Sequence, residues 1–352
     1  MTRKLHWVGL SALAALAMVG CSGDKGAEST TGTTASTENS TSGGEGGLKK
    51  DKLKITVIAK SNTNPVFQSA RVGAEAAAKE LTESTKCQIT IDWRTPDQED
   101  GQVQAQRIAQ AVNEGADAIL ISCSDANKVT GAINDAVDKG VPVMTFDSDA
   151  PESKRFAFYG ANDAEAGKQV IDELAKLNGG KGNIAILAGN QNAPNLQARV
   201  KGVHDAAAAY PGIKIVGDFY HNETPQDASA EVMRAMNANP QIDGWAMIGG
   251  WPLFATSLLN DLDASKVKIV AVDALPDELA YIQKGLAPVL LAQPTYEWGH
   301  TSVKLIVDKM VLGKDVPAVN KMELIKVDKS NLVQWANQLK DWGFEVPAQY
   351  LK

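Results

Sequence analysis

Cysteine is scarce in this chain: three among 352 residues, at Cys21, Cys87 and Cys123. There is no Cys-x-x-Cys pair and no cluster of Cys with His, so neither a zinc site nor a dithiol redox site is expected. Cys87 opens one expected strand and Cys123 closes another, at opposite edges of a parallel sheet. At about 3.3 Å per residue that separates them by about 15–20 Å. A disulfide needs Cα atoms within about 7 Å, so both should be small buried apolar residues. Histidine is as rare, with four residues and no Ser or Cys partner at a strand end. No Gly-x-Gly-x-x-Gly follows a strand, and there is no Walker loop and no Gly-x-Ser-x-Gly elbow. No catalytic residue, cofactor or metal ligand is therefore assigned. A basic excess is missing too: 35 Lys and Arg face 42 Asp and Glu, for a net charge of −7. That argues against a nucleic-acid partner, whose phosphates demand basic patches. Aromatic residues make up 6%, yet seven are Trp, which suits stacking on a sugar face. The one sustained apolar run, residues 10–19, is too short to span a bilayer.

That run follows Arg3 and Lys4 and ends in Val19-Gly20-Cys21, so residues 1–20 read as a signal peptide. Residues 22–47 are Ser, Thr, Gly and Glu with almost nothing apolar. Such a stretch cannot bury enough surface to fold. As a flexible tether it would hold the folded body about 30 Å from its anchor.

From Lys52 the pattern is strand, loop, helix, repeated, the mark of a parallel, doubly wound sheet. The stretch that organises it is residues 141–151, VPVMTFDSDAP. A short apolar run closed by Asp147, Ser148 and Asp149 reads as an interior strand. Ligands of open α/β sheets bind beyond the carboxyl ends of such strands, which favours Asp147 as a contact. Asp149 suits a turn or cap instead. The pattern then restarts. SNTNPVFQSARVGAEAAAKEL in the first half is echoed by NQNAPNLQARVKGVHDAAAAY in the second, with the spacing offset by a residue. The echo predicts two lobes of similar architecture. In the second half, residues 252–262 read as a helix between two strands.

The expected strand-end loops collect Asn62, Asn64, Asp97, Asp125, Asp147, Asn190, Asn192, Glu223, Trp251, Asp273 and Gln293. Carboxylates and amides accept from and donate to many hydroxyls, and an aromatic face matches the C–H face of a sugar. The set suits a neutral sugar or polyol. It suits an anion badly, because the carboxylates would repel it and no basic group is prominent. Arg199 reads as a helix residue that packs or pairs. His221 with Glu223 offers too few ligands for a metal.

Several motifs carry a family resemblance: NPVF at residues 64–67, VPVMTFDSDAP, the YGANDAEAGK that follows, VAVDALPD and LLAQP. Over about residues 52–328 the chain resembles the periplasmic sugar-binding proteins of bacterial ABC importers, the ribose-binding-protein-like branch of the type I fold. Val19-Gly20-Cys21 resembles a lipoprotein lipobox, which implies lipidation at Cys21. The resemblance implies two doubly wound α/β lobes joined by three crossing strands, with crossings near residues 159–162, 293–295 and 325–328. It implies this division: 1–20 signal peptide; 21–50 lipidated N-terminus and linker; 51–160 with 295–325 the N-terminal lobe; 161–293 with 326–352 the C-terminal lobe.

Carried over residue by residue, it makes Asn64, Phe67, Asp147, Asp273 and Gln293 ligand contacts. Ser148 stands where ribose binders have Arg. Asn195 or Gln197 stands where they have another Arg, and Gly249-Gly250-Trp251 where they have Asn. Trp251 then reads as a stacking platform and Glu223 as a further polar contact. These departures point away from ribose itself and leave another sugar as the ligand. The implied partners are an ABC permease in the inner membrane and the membrane through Cys21, with the protein a monomer in the periplasm or cell envelope. A ligand sensor of the same fold and a sugar-processing enzyme are the alternatives. A DNA-binding regulator would need a helix-turn-helix where this chain has an export signal.

Overall fold

The computed structural model describes residues 50–352. The signal and lipidation expectations, Cys21 included, and nearly all of the tether lie outside the described residues. The first half runs β1 (Lys52–Ile58), α1 (Pro65–Thr85), β2 (Gln88–Trp93), α2 (Gly101–Asn113), β3 (Ala118–Ile121), α3 (Ala126–Asp138), β4 (Val143–Phe146) and β5 (Ala157–Gly160). The second runs α4 (Asp163–Leu177), β6 (Lys181–Ala188), α5 (Pro194–Ala207), β7 (Gly212–Tyr220), α6 (Pro225–Ala238), β8 (Gly244–Met247), β9 (Lys268–Val272), α7 (Leu279–Lys284) and β10 (Val289–Ala292). The chain closes with α8 (Thr295–Met310), β11 (Val319–Lys321), β12 (Ile325–Val327) and α9 (Leu332–Asp341).

Two sheets result, ordered β11-β5-β4-β3-β1-β2 and β12-β10-β9-β8-β6-β7. Every pair is parallel except β10 with β12. Both sheets thus repeat the doubly wound 2-1-3-4-5 order, which places a ligand crevice where the winding reverses. β4 and β9 are fully buried four- and five-residue runs, apart from Lys268, as interior parallel strands require. The strand expected ahead of Asp147, seen as β4 (Val143–Phe146), and the two-lobe architecture are as the sequence reads. Cys87 and Cys123 are both free and buried.

The lobes share one packing device. The helix after the first strand of each lobe lies on the helix that opens just after a chain crossing: α1 on α8, and α5 on α4. A Cβ at Gly73 would overlap the Tyr296 carbonyl, and one at Gly299 the Ala70 carbonyl. In the other lobe, Gly167 meets the Arg199 carbonyl and Gly202 that of Ala164. Each pair of helices therefore touches backbone to backbone through two reciprocal glycines.

Two elements differ from the sequence reading. Residues 252–262 form no α-helix. A 3-10 turn at Trp251–Leu253 leads into irregular turns held by bonds such as Phe254 N to Trp251 O at 3.2 Å and Asn260 N to Ser257 O at 3.4 Å. Ser, Thr, Asn and Asp in this stretch offer the backbone competing partners. The third crossing falls at residues 322–324, just ahead of the expected 325–328, because Ile325 already pairs with Ala292. β11, three residues long with both end residues exposed, carries no readable strand signal.

Candidate functional site

The carboxyl ends of both sheets face a shared crevice. At its base lies a cavity of about 30 Å³, room for two or three waters at about 10–15 Å³ each. Of the nine residues expected at the site, Asn64, Phe67, Asp147 and Asn195 line this cavity, and so do Glu223, Trp251, Asp273 and Gln293. Gln197 does not. It lies on an exposed face of α5 and donates to the Gln191 carbonyl at 2.6 Å. Further out the crevice widens to about 970 Å³, with Glu99, Asp100, Asp125 and Asp227 among its lining residues.

Asp147 and Asp273 occupy equivalent places, one residue beyond β4 and β9. Both backbones are left-handed, with φ of 56° and 84°. Asp is among the few residues that tolerate this conformation. In each lobe the Asp amide donates to the neighbouring strand, Asp147 to Tyr159 O at 3.0 Å and Asp273 to Leu291 O at 2.9 Å. This turn sends the carboxylate into the crevice instead of along the sheet. Asp147 accepts from Ser122 Oγ at 2.7 Å and from Asn195 Nδ2 at 3.1 Å. Asp273 accepts from Gln293 Nε2 at 2.8 Å and from the Gly250 amide at 3.4 Å. Burial raises the Asp273 pKa, and the Gln293 hydrogen bond works against it.

Three charged or aromatic cavity residues escape the sequence reading. Lys60, 2% exposed, follows β1. Its Nζ donates to Asn195 Oδ1 across the lobes at 3.1 Å and lies 3.9 Å from Asp147 Oδ2. Burial works to lower its pKa, but Asp147, Glu99 and Glu223 outweigh that and hold it above the ordinary value. Arg199, 3% exposed, also lines the cavity. So does Trp298, stacked on Phe67 with ring centres 5.9 Å apart and tilted on Phe146 at 6.2 Å. Two cations therefore stand in a site whose sequence shows no prominent basic group, each beside carboxylates that neutralise it. The visible signal for Lys60 was its place at a strand end; its run, KITVIAK, disguised it as part of the strand.

Other loop residues settle into local roles. Asn64 caps α1, accepting from Val66 N at 3.2 Å, while lining the cavity. Asp125 caps α3. Asp149 is held by Arg155 Nη2 at 2.6 Å. Glu99 at the outer crevice has its pKa raised well above the ordinary value by burial and by Glu223. His221 sits edge-on to Trp251, ring centres 4.8 Å apart, and burial lowers its pKa.

Residues 55–315 match the family model described as "Periplasmic binding protein domain". The chain belongs to the periplasmic binding protein family. Membership places the body outside the cytoplasm, and no helix among the described residues is long and apolar enough to cross a membrane. This periplasmic binding protein is 26% identical over 275 residues to a xylitol-binding protein of Mycolicibacterium smegmatis, covering 75% of this chain and 78% of that one. Among solved structures it resembles an ABC transporter solute-binding protein from Burkholderia graminis in complex with D-arabinose. There the TM-score is 0.75 and the identity 26%, over 81% of this chain and 98% of that chain. It also resembles a glucose-galactose binding protein from Geobacillus stearothermophilus, with TM-score 0.74 and 27% identity over 80% and 99%. These relatives are described by the solutes, sugars or polyols they bind, not by a reaction.

Proposed function

We propose that this protein captures one neutral sugar or polyol between Asp147 and Asp273 and delivers it to an ABC importer of the inner membrane, tethered through lipid on Cys21. The observation that carries this reading is the equivalence of the two acids: same strand end, same left-handed turn, one cavity. Hydroxyl groups can donate to the carboxylates of Asp147, Asp273 and Glu223 and accept from Lys60, Asn195 and the indole of Trp251. The Trp251 Nε1 is buried without a partner, a donor waiting for an acceptor. Xylitol, D-arabinose, glucose and galactose, named for the relatives, are uncharged and rich in hydroxyls.

A cavity of about 30 Å³ is too small for a sugar ring, so the lobes, 51–160 with 295–325 and 161–293 with 326–352, must part to admit one. The direct bonds from Asn195 to Lys60 and Asp147 are then replaced by bonds through the ligand. Closure is a hinge motion whose equilibrium the ligand shifts by preferring the closed state.

A thermal-shift screen of pentoses, hexoses and polyols tests this. A ligand at a hundred times its dissociation constant adds about 2.7 kcal/mol of stability. At least one member of the screen should raise the melting temperature by several degrees, and charged sugar acids should not. Stabilisation by sugar acids alone would overturn the proposal.

A further inference from the structure

Arg199 spends all its visible hydrogen bonds on protein. Nε donates to Asp163 at 2.8 Å, Nη1 to the Ile248 carbonyl at 3.1 Å, and Nη2 to Gln293 Oε1 at 2.8 Å. Gln293 passes the connection on, donating to Asp273 at 2.8 Å. Two of these partners stand at the crossings between lobes. Asp163 opens α4 just after the chain leaves the first sheet at Gly160. Gln293 follows β10 as the chain returns toward α8. The backbone of Arg199 is itself clamped on α4, where its carbonyl faces Gly167. We propose that Arg199 is a positioning residue that ties two of the three interlobe crossings to the ligand-facing carboxylate of Asp273, so that hinge angle and ligand grip change together.

The geometry gives the reason. A guanidinium presents its donors in a fixed planar fork, so three partners held at once fix one another's directions. Rotation of either crossing moves Asp163 or Gln293, and the fork carries that displacement to Asp273. Breaking a buried charge from its partner is costly, so the hinge should favour the closed setting in which all three bonds are made. The groups that face Asp163 are Arg199, Asp147 and Lys60; burial, with the like charge of Asp147, raises its pKa to about 6 against the pull of Arg199 and Lys60. Protonation of Asp163 in that range removes the charge on which Nε closes and loosens the first crossing.

This inference rests on the polyol reading above for its ligand, but part of its test does not. In the full chain, dyes placed through Lys139→Cys and Asn237→Cys report the interlobe distance without ligand, and calorimetry reports affinity for a polyol found by the screen. Both are measured for wild type, D163N and R199K. D163N leaves Arg199 and its cavity face in place. The expected result is a shift of both variants toward open lobes, with affinity lower by about tenfold, the loss of about one charged hydrogen bond. Wild-type affinity should fall as the pH drops through about 6, and D163N should show no such step. Unchanged distances in both variants overturn the proposal, whatever happens to affinity. So does an affinity loss confined to R199K, which would make Arg199 a plain ligand contact. If no polyol binds wild type, the polyol reading fails, and the distances still decide the role of Arg199.

Discussion

The two lobes are built on the same plan and finished with different chemistry. In the N-terminal lobe, the helix after β1 carries Arg71 two residues before Gly73; in the C-terminal lobe, the helix after β6 carries Arg199 three residues before Gly202. The glycines hold the same position against the partner helix. At about 100° per residue, the one-residue offset turns the two arginines to different faces. Arg71 is exposed, pairs with Glu75 at 2.8 Å and lies over Trp93. Arg199 is buried at the site. Where the C-terminal lobe uses Asp163, Arg199 and Gln293, the N-terminal lobe has Phe67, Phe146 and Trp298 with ring centres 5.9–6.5 Å apart. The N-terminal wall of the crevice thus adds a rigidly packed aromatic cluster to Lys60 and Asp147, and the C-terminal wall adds an ionic, directional network to Trp251. An aromatic cluster offers a face to stack on, and an ionic network selects where hydroxyls point.

Four experiments would break or sharpen this contrast. The largest effect is expected in the aromatic cluster: Trp298→Ala, removing a side chain only 1% exposed, should cost about 3–5 kcal/mol and lower the melting temperature by about 10 °C. A loss of a degree or two would mean that the cluster is not held by packing.

The ionic network should instead respond to pH. Asp163, Asp273 and Glu278 of the C-terminal lobe, and Glu99 of the other, have folded pKa values raised mainly by burial. A raised carboxyl holds its proton in the folded state at pH values where the unfolded chain has lost it. Its favourable contribution is present at low pH and lost as pH rises through that window. For Asp163 the window runs from 3.8 to about 6, worth up to about 3 kcal/mol. His221, whose folded pKa is lowered, acts the other way below its ordinary value. The three C-terminal acids outnumber it, so melting temperature should rise from pH 7 to pH 5, and D163N should flatten part of the slope. A fall over that range would contradict the burial of these charges.

The shared device comes next. Gly167→Ala and Gly299→Ala each force a methyl into a facing backbone carbonyl and should each cost about 1–3 kcal/mol; effects that differ widely would show that the two helix pairs are not equivalent. The smallest effect belongs to Arg71→Ala, an exposed i,i+4 pair, which should change stability by no more than about 0.5 kcal/mol.

How much of this was legible follows from where each residue sits. The strand before Asp147 announces itself, because a buried parallel strand is an unbroken apolar run and its end is a sharp change to Asp-Ser-Asp. Asp273 reads the same way after VAV. The echo between halves was legible as similarity, and its one-residue offset was visible as well. What the offset does is not, since a change of helix face appears only once the glycines fix the register. Lys60 hides because a lysine after an apolar run looks like a solvated strand end. Trp298 hides because it reaches the cavity from the first turn of a helix that begins at a crossing, away from any strand-end loop of its own lobe. The helix expected over residues 252–262 fails for a local reason, polar side chains competing for the backbone.

The account turns on two acids from separate lobes gripping one uncharged ligand, and titration calorimetry on D147A and D273A tests that most directly. Each carboxylate should contribute about 1.5–3 kcal/mol through hydrogen bonds to hydroxyls. Both variants should bind the polyol that stabilises wild type about ten- to a hundredfold more weakly. Wild-type affinity in either variant would contradict the account.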